Sequence, residues 1–379
     1  MMADMSIPAG PGTLTPAWLT WALRSTGTIT DATVTSCHIE IIGEGKGFTG
    51  QVARIGLAYD IDAASAPASL IAKFPPLDPE VRAALNHYRL YEKEFRFYRD
   101  VAQDLALRTP RLYYSALNPA SGESVLLLED LTPAHTLNSL DGCTAEDAVF
   151  TIRHLAAFHA AWWEHPRLRT MDWLPVFDEQ AEEAQERYTH GWDVFLEKVG
   201  DRVPADIVPL GAKLRDHLVA VKHYLGQSPQ TFLHGDFHLN NLLFDATQGN
   251  RGLTVIDWQV CSRGRAMRDL TYFLVTALPP DRRRAHEMDL LELYHTILMA
   301  HGVQGYPFDR RLYDYRFTML DLLYFLVMII VLLDFSVNEE AGMIREMAVE
   351  RFCTAILDHK AEELLEGLGG SETEEHGSS

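Results

Sequence analysis

Cysteine is rare in this sequence, and the few cysteines lie far apart. The 379 residues include four, Cys37, Cys143, Cys261 and Cys353, and no CxxC pair. A disulfide framework or a zinc ribbon needs closer spacing, so both are excluded and a reduced, cytoplasmic protein is favoured. The first residues, MMADMSIPAGPG, have neither a basic segment nor an apolar run, so we expect no signal peptide.

Positive charge is also in short supply. Lys and Arg number 33 against 53 Asp and Glu, which gives a net charge of −20. Binding to nucleic acid needs a basic face, so we expect no nucleic acid partner. The acidity is compatible with a cationic substrate, although acidic surfaces more often serve solubility. Nothing in the composition sets the oligomeric state.

Apolar runs long enough to cross a membrane are also missing. The strongest candidate, LLYFLVMIIVLL at residues 322–333, is bracketed by Asp321 and Asp334. Its twelve residues fall short of the roughly 20 that a membrane helix requires, so we expect a buried helix and no membrane span. The hydrophobic share of 47% is enough for a large core.

The periodicity of apolar residues changes along the chain. The first part predicts two strands within 34–59, a strand at 70–74, a hairpin at 110–131, and helices at 13–24 and 79–102. Later segments predict helices at 144–164, 178–199, 206–225, 266–277, 284–301, 309–335 and 338–366, with strand-like pieces only in 232–258. We therefore expect an α+β protein with a β-rich part (1–131), a mostly helical part (132–366) and a disordered acidic tail (367–379).

A glycine motif, GKGFTG at Gly45–Gly50, matches GxGxxG. A dinucleotide site would need a helix after the glycines, but the alternating segment QVARIGLAY predicts a strand. A glycine loop between two strands covers the phosphates of the nucleotide in kinases. An ordinary glycine hairpin fits the same pattern, so both interpretations stay open.

Lys73 lies in a short apolar strand, SLIAKF. A buried lysine is costly unless it is paired with an acid or bound to an anion, although a lysine on an edge strand can also reach water. The next predicted helix offers Glu92 and Glu94 as partners. Apolar residues surround Glu94 at helical spacing: Leu90, Tyr91, Phe97 and Tyr98. We therefore expect Glu94 to face inward toward Lys73 and Glu92 to face outward.

The segment FLHGDFHLNNLLFD, residues 232–245, places several polar side chains between two apolar runs. Phosphoryl transfer needs a carboxylate to orient the acceptor hydroxyl and oxygen ligands to hold Mg²⁺. Asp236 can serve as the carboxylate, and Asn241 can supply a ligand. Asp257, at the end of the apolar run GLTVI, can supply another. His234 then serves as a scaffold whose ring bonds to the backbone.

Another interpretation makes His234, Asp236 and His238 the ligands of a zinc ion in a metallohydrolase. Zinc sites use two or three histidines with a carboxylate. Against it, HExxH is absent and the other histidines are scattered. A loop with only a structural role is a further alternative.

Taken together, these motifs resemble the aminoglycoside phosphotransferase and choline kinase-like superfamily, nearest the ecdysteroid-kinase-like (CHK-like) small-molecule kinases. The resemblance runs from about residue 40 to 275 and is quite specific. The motifs that carry it are HGDFHLNN (234–241), VIDWQ (255–259), Arg268-Asp269-Leu270, the Gly45–Gly50 loop, Lys73, EFRFY (94–98) and LLLEDL (126–131).

The resemblance implies a protein-kinase-like fold of two lobes with ATP in the cleft. It implies that Asp236 is the catalytic base and that Asn241 and Asp257 bind Mg²⁺. It also implies that Asp269 supports the metal loop, although a charge at a helix N-terminus explains this residue nearly as well.

The same resemblance implies a set of nucleotide-binding residues. Lys73, held by Glu94, would contact the α- and β-phosphates. The segment 128–131 would be the hinge that binds adenine through its backbone. The expected cofactor-binding residues are Lys73, Glu94, Gly45, Gly47, Gly50, Glu129 and Leu131.

We therefore expect a small-molecule kinase that phosphorylates an alcohol. A catalytically inactive nucleotide-binding pseudokinase is the alternative, although the intact set of expected site residues argues against it. The acceptor stays undecided. Trp162, Trp163, Trp192 and Trp258 would suit a cationic alcohol if they formed an aromatic wall, whereas the apolar segment 317–335 would suit a hydrophobic one.

Overall fold

A computed structural model of the chain describes residues 6–42, 50–62, 66–245 and 252–368, with side chains up to residue 365. The chain divides into two compact units. Unit 1 comprises Met1–His135 and Asp245–Val260, and unit 2 comprises Thr136–Phe244 and Cys261–Ser379.

Unit 1 is built on a five-stranded antiparallel sheet with the strand order β1-β2-β3-β5-β4. The strands are β1 (Val34–Ile42), β2 (Gln51–Tyr59), β3 (Ser69–Phe74), β4 (Leu112–Leu117) and β5 (Ser124–Glu129). The sequence predicted all five of these strands. The sheet is the β-rich lobe expected from the alternating apolar pattern.

The two faces of β3 serve different purposes. Leu70, Ala72 and Phe74 alternate with half-buried positions and join the hydrophobic core of unit 1. Helix α1 (Pro16–Ser25) supplies the other side of this core through residues such as Leu19. Because successive side chains of a strand point to opposite faces, Lys73 lies on the face away from this core.

Two helices follow β3 where the sequence predicted one. They are α2 (Pro79–His87) and α3 (Leu90–Asp100). Between them Arg89 adopts a left-handed conformation with φ 55°, which ends the first helix and turns the chain into the second. No glycine or proline marks this break, so propensity could not reveal it.

Residues 245–260 belong to unit 1, whereas the sequence placed them in the helical part. The segment contains β8 (Gly252–Val255), and the Val255 N–H donates to the Arg108 carbonyl at 2.9 Å. Trp258 stacks on Phe97 of α3 with ring centroids 4.0 Å apart. These contacts are non-local, and for this reason local patterning missed them. The first segment of unit 1 also ends at His135, four residues beyond the expected boundary.

Unit 2 is mostly helical. Its helices are α4 (Ala145–Ala161), α5 (Ala181–Val199), α6 (Ile207–Leu214), α7 (Leu218–Gly226), α8 (Met267–Ala277), α9 (Pro280–Ala300), α10 (Phe308–Leu332), α11 (Glu339–Asp358) and α12 (Glu362–Leu368). Short strands occur at β6 (Thr231–Leu233), β7 (Leu242–Asp245) and β9 (Ser262–Gly264), and β6 pairs antiparallel with β9. This is the helical lobe that the sequence predicted.

Helix α10 is the central helix of unit 2 and packs against α5, α7, α8 and α11. Its length and composition would allow it to cross a membrane, but 67% of its most apolar 18-residue window is buried within the protein. It also carries buried Arg311, Asp314 and Asp321. A buried core helix passes the same test, so this helix is not evidence of a membrane span.

Two helix boundaries differ from the prediction. The expected helix 206–225 is broken between α6 and α7, where the Gln185 side chain accepts a hydrogen bond from the Val219 N–H at 3.1 Å. That partner lies on α5, so the sequence of the segment does not contain it. Helix α12 extends through Leu368, two residues into the expected tail, and residues 369–379 lie outside the described residues.

Candidate active site

The loop at residues 234–241 is held in place by Asp269, which lies in the first turn of α8. One carboxylate oxygen of Asp269 accepts the His234 N–H at 2.7 Å, and the other accepts the Gly235 N–H at 2.9 Å. Gly235 has φ 85°, a conformation that side-chain-bearing residues rarely adopt. Asp269 is therefore the support of this loop that the sequence predicted, in addition to being an acid at a helix N-terminus.

Asp269 is itself held by a buried histidine. The His159 Nε2 lies 3.4 Å from its carboxylate, and the His159 Nδ1 lies 2.7 Å from the Tyr294 hydroxyl. Although burial raises the pKa of Asp269, the hydrogen bonds from His159 and Gly235 lower it below its usual range. Asp269 is thus ionised at neutral pH and can accept both backbone N–H groups.

Asp236 projects from this loop with several partners around its carboxylate. The Asn241 Nδ2 donates to the Asp236 Oδ2 at 3.0 Å and to its carbonyl at 2.9 Å. The His238 Nε2 lies 3.2 Å from the same Oδ2. Burial raises the pKa of Asp236, but His238, His234 and the Tyr272 hydroxyl outweigh burial and lower it. The structure therefore holds an oriented, ionised carboxylate here.

His234 has the scaffold position expected from the sequence. It is fully buried, and its Nδ1 accepts the Asp236 N–H at 3.2 Å. That bond turns the ring toward the backbone. In the described part of the chain, no three His, Cys, Asp or Glu side chains are placed to hold a metal ion. The zinc interpretation with His234, Asp236 and His238 therefore has no geometric support.

Asn241 closes the loop at the end of a single 3₁₀ turn, Leu239–Asn241. The side-chain nitrogen of Asn241 donates to Asp236, so the side-chain oxygen of Asn241 points away from Asp236. Within the described ranges, that Oδ1 accepts no hydrogen bond. An amide oxygen in this state is a suitable ligand for a hard cation such as Mg²⁺.

A second group of candidate site residues lies in unit 1, where Lys73 contacts two carboxylates. The Lys73 Nζ lies 2.5 Å from Glu94 and 3.1 Å from Asp257. We call these three residues the acidic cluster, since two carboxylates share one ammonium group. Glu94 is buried and Glu92 is half-buried beside Arg89, which confirms the inward and outward directions predicted for them.

The acidic cluster has one more negative charge than positive charge. This imbalance affects the pKa values of Lys73 and Glu94. Burial alone would lower the pKa of Lys73, but Asp257 and Glu94 raise it above its usual value. Burial and the nearby Asp257 raise the pKa of Glu94, although Lys73 opposes this. A site with two acids and one base attracts a further cation.

The backbone of Asp257 is unusual. Its φ of 64° is left-handed, which is uncommon for a residue with a side chain and is found where neighbouring structure imposes it. The Oδ1 of this carboxylate contacts Lys73 and the Gln259 amide. The Oδ2 makes no hydrogen bond or ion pair within the described residues, so it can ligate a cation.

The expected nucleotide-binding loop is described only at its end. Gly45 and Gly47 lie outside the described residues. At Gly50 a Cβ would lie 2.2 Å from the Phe74 carbonyl oxygen. This close approach of β3 explains a glycine at position 50 without any ligand, so a role in covering phosphates stays a prediction.

The expected hinge follows β5. Glu129 receives a hydrogen bond from the Arg108 guanidinium at 3.0 Å, and its own N–H donates to the Arg111 carbonyl at 2.9 Å. The N–H of Leu131 makes no hydrogen bond in the part of the chain that the structure describes. That donor is the kind of backbone group that can bind adenine.

The four tryptophans considered for an aromatic wall are packed separately. Trp258 stacks on Phe97, and Trp192 packs between Tyr188 and Phe195. Trp162 contacts Phe232, while Trp163 contacts Tyr306. Each one thus has its own packing partners, which weakens the case for a cationic acceptor built on tryptophan.

Two residues around Asp236 were missed by the sequence-based reasoning: His238 as its direct partner and Tyr272 as a hydrogen-bond donor. A signal for Tyr272 did exist, because it follows Asp269 by three positions on α8 and so shares its helix face. His238 was considered only as a zinc ligand.

The profile of the ecdysteroid kinase-like family matches residues 44–303. No curated protein matches significantly in sequence. A protein from Ralstonia eutropha assigned as an aminoglycoside phosphotransferase is similar in structure, with a TM-score of 0.53, 16% identity, and coverage of 90% of this chain and 97% of that one.

Two further solved structures are similar at the same level. Amicoumacin kinase hAmiN, in complex with AMP-PNP, Ca²⁺ and Ami, has a TM-score of 0.52, 15% identity, and coverage of 83% of this chain and 87% of that one. A Plasmodium vivax ethanolamine kinase has a TM-score of 0.51, 10% identity, and coverage of 86% and 83%. At such identities the likeness shows the fold alone, which is the kinase-like α+β fold predicted from the sequence.

Proposed function

Because the chain belongs to the ecdysteroid kinase-like family, we propose that it is an ATP- and Mg²⁺-dependent phosphotransferase acting on a hydroxyl group of a small molecule. The observation that supports this most is the Asp236 carboxylate, ionised and oriented by Asn241 and His238 in a loop that Asp269 supports. A base for an acceptor hydroxyl needs this state and this fixed direction.

The residues present fit both ATP and Mg²⁺. Asn241 Oδ1 and Asp257 Oδ2 are oxygen donors without partners among the described residues, and oxygen is the donor atom that Mg²⁺ prefers. The acidic cluster has a surplus negative charge that a cation would offset. When bound, ATP supplies the phosphoryl group, and Mg²⁺ neutralises charge on its phosphate oxygens.

Each residue then has a defined part in the reaction. Asp236 accepts a hydrogen bond from the acceptor hydroxyl and takes its proton as the new oxygen–phosphorus bond forms. The bond from the γ-phosphorus to the bridging oxygen breaks, and ADP leaves. Lys73, fixed by Glu94, donates hydrogen bonds to phosphate oxygens. Asn241 and Asp257 would supply oxygen ligands to Mg²⁺, and the hinge residues Glu129 and Leu131 would bind adenine through backbone groups.

The test is formation of ADP and phosphorylated alcohol from ATP, Mg²⁺ and a panel of small alcohols. We expect turnover by the wild type and its loss in Asp236→Asn. Asp281→Asn is the matched control, because its carboxylate is fully exposed at the start of α9. Full activity in Asp236→Asn would exclude Asp236 as the base. ATP binding without product on any acceptor would instead identify an inactive pseudokinase.

A further inference from the structure

Three helices of unit 2 bring a second set of buried charges together. Lys222 of α7 and Arg268 of α8 both contact the Asp321 carboxylate on α10, at 2.5 Å and 2.8 Å. Lys222, Arg268 and Asp321 are 7%, 3% and 0% exposed. We call these three residues the basic cluster.

The charges of the basic cluster do not balance, since two cations share one carboxylate. The positive charge of Arg187 on α5 also repels that of Lys222, but Arg187 is itself paired with Glu183 at 2.9 Å. Burial, together with Arg268 and Arg187, lowers the pKa of Lys222 in spite of Asp321. A surplus buried charge is unfavourable unless an opposite charge is supplied.

A donor in this cluster is also left without a partner. The Arg268 Nε and Nη1 are buried and make no hydrogen bond with any described residue, and the two Asp321 oxygens contact Lys222 and Arg268 as ion pairs without a well-aligned hydrogen bond. Buried guanidinium groups are normally satisfied, and the ligand that matches their geometry is a carboxylate, which can accept two parallel hydrogen bonds. The surplus positive charge makes an acidic ligand, rather than a neutral one, the better partner for this donor.

Aromatic rings surround these charges. The Lys222 Nζ lies 4.3 Å from the ring centre of Tyr324, and the Arg268 guanidinium lies 5.4 Å from that of Phe325. Tyr324 and Phe325 follow Asp321 by three and four positions on α10, so they share its face. Both rings are only half-buried and can contact an apolar body attached to the acid.

The basic cluster is connected to the proposed base by one aromatic ring. The Tyr272 hydroxyl bonds to the Asp236 carboxylate, and the Arg268 guanidinium lies 5.0 Å from the centre of the Tyr272 ring. Arg268 and Tyr272 are four positions apart on α8 and lie on one face. The Tyr272 side chain thus contacts both the proposed base and the basic cluster.

We propose that the basic cluster binds an acidic group of the acceptor, so that the substrate is an alcohol with a carboxylate and an apolar or aromatic body. This inference depends on the proposed function, because it takes Asp236 as the base. A cationic alcohol would add a third positive charge to the cluster. A neutral alcohol would leave the surplus charge and the Arg268 donor unmet.

The test compares alcohols that differ only in charge, at constant ionic strength with saturating ATP and Mg²⁺. One set contains 4-(hydroxymethyl)benzoate, its methyl ester and 4-(hydroxymethyl)benzylamine, and further sets carry aliphatic bodies with the same three end groups. We expect kcat/KM for the acid to exceed that for the ester and the amine of the same set at least tenfold.

Lys222→Met separates ligand binding from folding, because it removes the surplus charge and leaves Arg268 and Asp321 as a balanced pair. We expect a Tm equal to or above that of the wild type. The variant should lose at least tenfold in kcat/KM for acids and change less than twofold for esters. Lys222→Arg keeps the positive charge, so this variant should retain the preference for acids that Lys222→Met loses. Lys213→Met, at an exposed position on α6, is the matched control.

Binding is measured independently of turnover by the shift in Tm with benzoate and with benzamide, without ATP. We expect benzoate to raise the Tm of the wild type more than benzamide does, and to lose this advantage in Lys222→Met. Equal shifts, or better turnover of esters or amines, would overturn the inference. A protein that phosphorylates no alcohol but is selectively stabilised by benzoate would refute the phosphotransferase function and not the acid site.

Discussion

The two units each contain a cluster of three charged side chains, half-buried around Glu94 in unit 1 and fully buried in unit 2, and the charge imbalance has opposite sign in the two. In unit 1 Lys73 contacts Glu94 and Asp257, so one cation meets two carboxylates. In unit 2 Asp321 contacts Lys222 and Arg268, so one carboxylate meets two cations.

A fold selected for stability alone would balance such buried charges or replace them with apolar residues. Surplus charge that persists is typical of sites where stability is given up for function. In the proposed function the acidic cluster would serve a nucleotide-bound divalent cation, and in the further inference the basic cluster would serve an acidic acceptor. The opposite signs of the two imbalances therefore predict opposite responses to substitution in the two units.

The largest effect is expected from a substitution that leaves both clusters intact. Asp236→Asn should lower kcat by about 10²–10⁴-fold, the usual contribution of a general base. The KM for ATP and the Tm shift with benzoate should stay within twofold of the wild type, because neither cluster changes. Steady-state kinetics and thermal shifts check this, with Asp281→Asn as the control. A large loss of ATP affinity would instead give Asp236 a role in binding the nucleotide.

The next effect concerns stability. Asp321→Asn leaves Lys222 and Arg268 buried without their shared carboxylate, so it should lower the free energy of unfolding by about 3–5 kcal/mol. Urea denaturation of the variant and the wild type measures the difference. A loss below about 1 kcal/mol, as for an exposed ion pair, would show that the charges of the basic cluster are not effectively buried.

The counterpart of Lys222→Met in unit 1 is a substitution that removes the surplus negative charge of the acidic cluster. Glu94→Gln keeps Lys73 paired with Asp257, so Tm should change little, as we also expect for Lys222→Met. The KM for ATP should rise about 10–100-fold, because a hydrogen bond to a charged group contributes about 1.5–3 kcal/mol. Glu92→Gln on the same helix is the matched control. An unchanged KM in Glu94→Gln would mean that Glu94 does not position Lys73 for the nucleotide.

The smallest expected effect is on the pH dependence of stability. The pKa of Glu94 is raised in the folded state, so between its unfolded and folded pKa values stability should fall as pH rises. The pKa of Lys222 is lowered, so between its folded and unfolded pKa values stability should increase as pH rises. Unfolding free energies across the weakly acidic and alkaline ranges measure both slopes. Glu94→Gln should remove only the fall in stability and Lys222→Met only the increase. Any other pattern would contradict the opposite pH dependences assigned to Glu94 and Lys222.

The acidic cluster could be anticipated from the sequence because its parts follow local rules. Lys73 alternates with the core residues of a strand, and the apolar neighbours of Glu94 at helical spacing turn it inward. The loop at Asp236 was found in the same way, from polar residues between two apolar runs. Asp269 was suspected as a support from its motif.

The basic cluster could not be anticipated because it depends on tertiary packing. Lys222, Arg268 and Asp321 lie on three helices that are far apart in the sequence, and Lys222 and Asp321 belong to no motif. The break between α6 and α7 and the place of residues 245–260 in unit 1 were missed for the same reason. In each case the deciding contact, such as Gln185 with the Val219 N–H or Trp258 with Phe97, is non-local.

The central claim is that Asp236 activates a small-molecule hydroxyl for attack on the γ-phosphoryl group of ATP. A single-turnover reaction with γ-labelled ATP, Mg²⁺ and the panel of acidic alcohols tests it most directly. We expect the wild type to move the label to the alcohol oxygen and Asp236→Asn to leave it on ATP. Label found only in ATP or in inorganic phosphate with the wild type, or transferred equally fast by Asp236→Asn, would contradict it.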